Sequence, residues 1–373
     1  MIDITNAKKL HASDQFKAYR SDPLSLYKDC QTNRESVSAM LERLDPSERD
    51  SSGKIVSELN ALERHLAAAD IALSGPKQAK VEDLAAGDVS YLMPELVLRT
   101  IEEGRMVNER YSAEDCIAAT VPHKGATYHP LYIPNLNTTA ASASQRDKSL
   151  GRRAASGKGG AFPVLSVDRR EKDVVVRDYG RTIECAYSVI RDYAWQDFAI
   201  ILHLIGAQLA SDDLQDIYDL GITGDGTVGA ATNTFAGVAG TLAYTDLMTN
   251  YISFGSPFAM DRILAPVQSF TTILAMAQFQ DPLAFNKVFQ ASGLPVTPFG
   301  AKLKEVDAVP GATPTGTVIV TLDSRYAVRK TVVAPLSVEA EKIINRKYES
   351  ATVSEEKVFS IIADGALKRI LWT

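Results

Sequence analysis

The strongest constraint on this chain lies at residues 162–220, where a β-rich arm runs directly into a long helical stretch. The arm reads FPVLSVDRREKDVVVRDYGRTIECAYSV and the stretch after it IRDYAWQDFAIILHLIGAQLASDDLQDIYDLG. The arm holds three short β-rich runs, Phe162 to Val167, Val174 to Val176 and Arg181 to Val189. Charged clusters separate them: Asp168, Arg169, Arg170, Glu171 and Lys172, then Arg177 and Asp178. A ribbon this thin cannot bury its own apolar face, and an isolated two-stranded hairpin is marginal in water. The arm therefore has to lie on something else, and a neighbouring copy of the same chain fits. On that reading the seven charged residues are the expected contacts between subunits.

The spacing predicts a helix over about 194–219, with Phe198, Ile201, Leu202, Ile205 and Leu209 as its core-facing stripe at i, i+3, i+4, i+7 and i+11. Ser211, Asp212, Asp213 and Asp216 are expected to face solvent or a partner. Gly221 is expected to end the helix and Gly224-Asp225-Gly226 to turn the chain.

At 373 residues the chain has ample length for a sizeable core. Its net charge of −6 lacks the clustered Lys and Arg of a phosphate-tracking surface, which excludes a dedicated nucleic-acid binder. Cys30, Cys116 and Cys185 are too few and too scattered for a disulfide framework or a metal cluster, and fit a reducing compartment. No apolar run approaches the ~18 residues that span a bilayer. The N-terminus MIDITNAKKLHASD has no apolar secretory core, so a soluble, cytoplasmically made protein is expected.

Residues 1–88 differ from the rest of the chain. Leu41, Leu44, Ile55, Leu59, Leu62, Leu66 and Ile71 recur at mostly helical spacing, broken by Asp45-Pro46, by Ser51-Ser52-Gly53 and by Gly75-Pro76. Two or three narrow-striped helices are expected there, an appendage or a self-association segment. Residues 89–145 combine a helix from Pro94 to Gly104 with an extended arm whose Pro122, Pro130 and Pro134 exclude a central strand. From 227 to 332 helices at Tyr244 to Phe254 and Phe270 to Gln278 alternate with strands at Arg262 to Val267, Leu303 to Val306 and Thr317 to Leu322, an α/β or α+β pattern. Residues 333–373 read as β chain, with Asp364-Gly365 as a hairpin turn.

Catalytic signals are missing. The loop GRRAASGKGG at 151–160 departs from a phosphate-binding loop in its spacing, and Gly159 stands where a magnesium-binding Ser or Thr belongs. His123 and His129 sit six apart near Cys116, without the tight spacing of a metal site, and His203 lies beside the helix stripe as an ordinary packed histidine. No nucleophile has an obvious base, and no cofactor, metal or catalytic residue is expected.

Several phrases, in order, nevertheless resemble one family. They are Leu92-Met-Pro-Glu95 with its helix, GAFPVLSVDRREKDVVVRDYGRTIECAYSVIRD, IGAQLASDD and Gly240-Thr-Leu-Ala-Tyr244. FQDP at 279–282, PFGAKLKEVDAVP at 298–310 and LDSRYAV at 322–328 come after them. Across about residues 90–373 the chain resembles the major capsid proteins of tailed double-stranded-DNA bacteriophages, with the Hong Kong 97 phage fold. The resemblance implies an α+β shell subunit. Residues 1–88 would be a helical, scaffold-like N-terminal segment of the kind often removed by a phage protease. Residues 89–145 would be the N-terminal arm and 146–186 the E-loop, reaching over an adjacent subunit. Residues 187–225 and 333–373 would form the peripheral (P) domain with its spine helix, and 226–332 the axial (A) domain.

The resemblance further implies a non-enzymatic protein that assembles with itself as pentamers and hexamers into an icosahedral or prolate capsid. It would form in the host cytoplasm, become part of the virion, enclose double-stranded DNA non-specifically and touch no membrane. Portal, scaffold, protease and decoration proteins would be its other partners. A covalent cross-link of the kind one relative forms would draw on Lys158 or Lys172 with Asn345 and Glu349. The local sequences depart from that pattern, and ion pairs among Arg169, Arg170, Glu171, Lys172 and Asp173 are the simpler expectation. An encapsulin-like compartment on the same fold is the alternative, disfavoured by the N-terminal segment. A soluble enzyme with a β-arm interface is a second, disfavoured by the missing catalytic set.

Overall fold

The computed structural model describes residues 4–33, 35–48, 50, 59–73, 78–86, 88–107, 111–132, 168–169, 172–255, 257–280, 297, 299–306, 317–343 and 348–372. The fold is α+β. Its internal contacts form two compact units: one of Met1–Arg105, Gly180–Gly206 and Leu336–Ser354, the other of Met106–Tyr179, Ala207–Pro335 and Glu355–Thr373.

In the first unit short helices follow one another: α1 (Thr5–Ala12), α2 (Asp14–Ser21), α3 (Pro23–Asn33), α4 (Val37–Leu44), α5 (Ala61–Ala68) and α6 (Val81–Ala86). A 3₁₀ turn at Ser90–Leu92 leads into α7 (Met93–Val107). Local chemistry starts them. Ser13 and Ser36 accept from the amides of Phe16 and Ala39, and Asn60 forms a reciprocal capping box with Glu63. Phe16, Leu26, Leu41, Leu62, Leu66, Leu84, Tyr91 and Ile101 are buried. Where two or three helices are expected over residues 1–88, six occur among the described residues, three of them before residue 34 where the periodicity shows no element. Most of their stripes are only about two turns long, too short to register as a period, and for α2 and α4 the Ser caps are the legible signal.

After α8 (Tyr187–Asp192) comes α9 (Trp195–Thr223), a helix of 29 residues and ~43 Å. It continues past Gly221, the expected end. That glycine lies inside the helix because a Cβ there would stand 2.5 Å from Cγ1 of Val320. The chain breaks instead at Gly224, whose φ of +82° suits the left-handed residue after a helix.

The predicted core stripe on α9 needs a second correction. Leu202 is buried and Phe198, Ile205 and Leu209 are half-buried, but Ile201 is 50% exposed. In the first unit α9 approaches α7 through small residues. A Cβ on Gly206 would lie 2.1 Å from the carbonyl oxygen of Ile101, and one on Gly104 2.4 Å from that of His203. Backbone meets backbone there, so the buried line runs through Leu202, Gly206 and Ala210 and turns Ile201 away from it.

The second unit is built on a five-stranded sheet of order β7-β13-β10-β8-β9: β7 (Thr232–Asn233), β8 (Arg262–Pro266), β9 (Lys302–Val306), β10 (Val318–Leu322) and β13 (Leu367–Leu371). β10 runs antiparallel to β8 and β13, whereas β9 and β7 pair in parallel at the two edges. Helices α10 (Tyr244–Ser253) and α11 (Val267–Ala275) accompany it. The core gathers Leu214, Ile217, Leu247, Ile263, Leu303, Ile319, Val320, Ile370 and Trp372. Within LDSRYAV, Asp323 is buried. Its carboxylate accepts from Arg325 Nε and Nη2 at 2.9 and 2.8 Å and from the Ala259 amide at 2.8 Å.

A four-stranded sheet of order β1-β11-β12-β6 comprises β1 (Ile117–Pro122), β6 (Arg177–Ala186), β11 (Val328–Ile343) and β12 (Tyr348–Ile361). β1 is an edge strand ending at Pro122, as a missing backbone donor requires. The hairpin expected at Asp364-Gly365 does not form. A 3₁₀ turn at Asp364–Ala366 carries the chain from one sheet to the other, because β13 buries Leu367 and Ile370 against β10, with Ile370 opposite Ile319.

Gly206→Ala tests the backbone crossing. Helix propensity alone predicts a gain of about 1 kcal/mol, whereas the clash predicts a loss of about 1–3 kcal/mol. The urea midpoint of the subunit is expected to fall.

Candidate functional site

The stem of the arm is held by short strand pairs. β2 (Thr127–Tyr128) pairs antiparallel with β5 (Val174–Val175), and β3 (Leu131–Tyr132) with β4 (Asp168–Arg169). Asp168 therefore stands opposite Tyr132 and Arg169 opposite Leu131. His129 pairs with Asp173, and Val174 is buried. β6 then joins β12 at the sheet edge, where a Cβ on Gly180 would lie 2.9 Å from the Val353 carbonyl oxygen. The root of the arm thus pairs with its own chain, because the extended run at 127–132 supplies strand partners. Of the predicted contact residues, Lys172, Arg177 and Asp178 are exposed. Arg170 and Glu171 lie outside the described residues, as do Phe162–Val167, the GRRAASGKGG loop with Lys158, and Asn345.

Behind the stem, in the second unit, four charges are buried together. Asp213 on α9 is 4% exposed, not on a solvated helix face as its sequence context suggests. Lys357 on β12 donates to it and to Glu355 Oε2 at 2.8 Å. Lys330 on β11 reaches Glu355 Oε1 at 3.0 Å and Asp213 Oδ2 at 3.9 Å. The Lys357 ammonium also lies 5.3 Å from the centroid of the Tyr179 ring. Two cations and two anions balance, which is what permits their burial. Sequence reasoning missed Lys330, Glu355 and Lys357. The signal was present in the spacing of Glu355 and Lys357, which puts both on one face of a strand, but hydropathy reads such a pair as solvent-facing.

Next to the cluster a cavity of about 320 Å³ is lined by Asp173, Arg177, Tyr179, Asp216, Asp219 and Asp225, among others. Burial and then the neighbouring Asp213 charge push the Asp216 carboxyl up to about 6, against the partial relief of Lys357. Burial also raises Asp219. The Tyr179 hydroxyl is raised by burial and by the charge of Asp216, to which it hydrogen-bonds. Asp225 fixes the turn after α9: Oδ1 accepts from the amides of Thr227 and Val228 at 2.9 and 2.7 Å, and Oδ2 from that of Ile361 at 3.0 Å.

In the first unit α9 and the link that joins α8 to it present large apolar groups to solvent. Ile200 is 67% exposed, Leu204 71% and Tyr193 52%, beside Ile201. Ile200 and Leu204 are one turn apart, so they share a face. The histidines fall into local structure. His123 Nε2 meets the Thr127 carbonyl at 2.9 Å, and His203 lies 3.8 Å from Glu103. Cys116 is fully buried, and among the described residues no group of three or more His, Cys, Asp and Glu could hold a metal ion. No described helix is long and apolar enough to cross a membrane.

Removing one member of the cluster strands a charge. Lys357→Met is expected to cost about 3–5 kcal/mol in urea unfolding, and adding Asp213→Leu to restore neutrality is expected to recover part of it. Asp216 gives a pH signature. Its folded pKa lies above the ordinary carboxylate value of 3.8, so its contribution to stability is full below that value and is lost as pH rises through about 6. Asp216→Asn should match the parent at low pH and exceed it by about 1–2 kcal/mol above neutrality, after allowance for solvent screening. Thermal melts across pH read the difference.

No family model and no curated protein sequence matches the chain. Solved structures similar to it include the capsid of an empty GTA particle, at 11% identity over 72% of this chain and 91% of that one, with a TM-score of 0.49. The capsid of the cyanophage P-SCSP1u is similar at 9% identity over 69% and 86%, TM-score 0.42. The holo-SrpI encapsulin complex of Synechococcus elongatus is similar at 15% identity over 72% and 88%, TM-score 0.44.

Proposed function

We propose that this chain is the major capsid protein of a tailed phage, closing with copies of itself into a shell around packaged double-stranded DNA. The observation that carries the reading is the order of parts. An arm with a paired stem leads into a 29-residue helix and then into a unit with a five-stranded sheet, which the chain leaves through the long strands β11 and β12 and re-enters with β13. The apolar face of Ile200, Ile201 and Leu204, and the exposed Lys172, Arg177 and Asp178, are surfaces that packing between subunits would cover. A subunit touching several neighbours needs no single strong contact, since closure makes weak contacts cumulative, and closed symmetry leaves no interface unfilled. The net charge of −6 suits a wall that must release its DNA. The role is structural, without catalysis. Portal, scaffold, protease and decoration proteins are the further partners of such a shell, which forms in the host cytoplasm and ends in the virion.

Sedimentation and negative-stain microscopy of the purified chain test this. Closed shells or capsomers are expected, and a monomer or dimer at every salt concentration would overturn it. Protein cargo in place of DNA inside particles from the natural host would favour an encapsulin-type compartment. The double variant Ile200→Asp, Leu204→Asp is expected to melt within about 0.5 kcal/mol of the parent, as surface changes do, yet to form no shells.

A further inference from the structure

The position of residues 1–88 ahead of the family-like region suggests a removable segment, but its bonding points the other way. Three separate stretches of the first unit are built onto it. At the start of α9, Ala79 to Val81 lies beside Tyr193 to Trp195 as a strand-like clip. The Trp195 amide donates to the Ala79 carbonyl at 3.0 Å, the Val81 amide to the Tyr193 carbonyl at 3.3 Å, and Lys80 bridges antiparallel to Ala194. Trp195 opens the helix, so its N–H is one of those that no helical carbonyl can satisfy.

At the start of α7 the buried Glu95 carboxylate accepts from both the amide and the hydroxyl of Ser38, at 2.9 and 2.6 Å. Between these, buried Tyr91 takes a bond from the Tyr27 hydroxyl on its carbonyl at 3.1 Å, and its own hydroxyl meets His65 Nε2 at 2.8 Å. The turn at Ser90–Leu92 packs on α2, α3 and α6, and α6 packs on α8. Taking the segment away would strip Glu95 of both donors, expose Tyr91 and leave the first turn of α9 unclipped. Each is a costly change.

We infer that residues 4–88 are a permanent brace on the start of α9 and on α7, retained by the working subunit and not a scaffold to be shed. The inference concerns the folded subunit itself and holds whether or not that subunit closes into shells.

The test uses the full chain. A recognition sequence for a site-specific protease is inserted at the exposed Asp88 and cut under native conditions. The N-terminal fragment is expected to co-elute with the remainder on gel filtration and to part from it only in denaturant. Release of the fragment from a remainder that melts as before would overturn the brace. Amide hydrogen exchange on the uncut parent stands independently of the insertion. Trp195, Val81 and Ser38 are expected to be protected as strongly as the amides of α9, and free exchange at all three would count against the inference. In assembled particles the intact mass is expected to include residues 1–88, and a chain starting beyond them would refute retention.

Discussion

The second unit depends on a balance of charge that the solvent never sees. Asp213, Glu355, Lys330 and Lys357 join one helix to two strands, and no member can be taken into the interior without the others. Burial of that kind is weak evidence of added stability, since the cost of desolvating the charges offsets much of their attraction. An apolar helix face tolerates a slip of one residue far better than a carboxylate that must meet two ammonium groups. The Asp225 turn acts in the same sense, tying the end of α9 to Ile361 through a single carboxylate. These polar contacts act beside the apolar packing of Leu214, Ile217 and Tyr218 on the same helix.

Much of the second unit was legible in the sequence because its elements obey local rules. The strand at Arg262–Pro266 and the helix at Tyr244–Ser253 end within a residue of their expected limits, since apolar alternation and flanking glycines or prolines mark them. What was illegible falls into two physical kinds. Helices of about two turns, such as α2 and α4, are too short to show a clear period and were invisible beyond their Ser caps. Residues whose environment is made by distant chain were misread. Asp213 looked solvated because its lysines lie over a hundred positions away, and Ile201 looked internal because size was taken for burial. Gly206 and Gly221 are the counterpart, small residues at places where another part of the chain needs the space.

The arm sits between these cases. Its β character and charge were plain, but its partner was not. The run at 127–132 is too short and too rich in turns to read as strands, yet it pairs with Val174–Val175 and Asp168–Arg169. An arm anchored at its root by its own chain is a lever, not a loose tether. Whatever its described charges meet, they meet at a place fixed by the fold.

Asp216 also makes the subunit a buffer. A carboxyl with a pKa of about 6 takes up and gives back its proton in a range where ordinary carboxylates are inert. In one molecule that is a single charge beside a cavity. In an assembly of identical copies every such group titrates over the same narrow interval, so the charge of the whole object shifts collectively by as many protons as it has subunits.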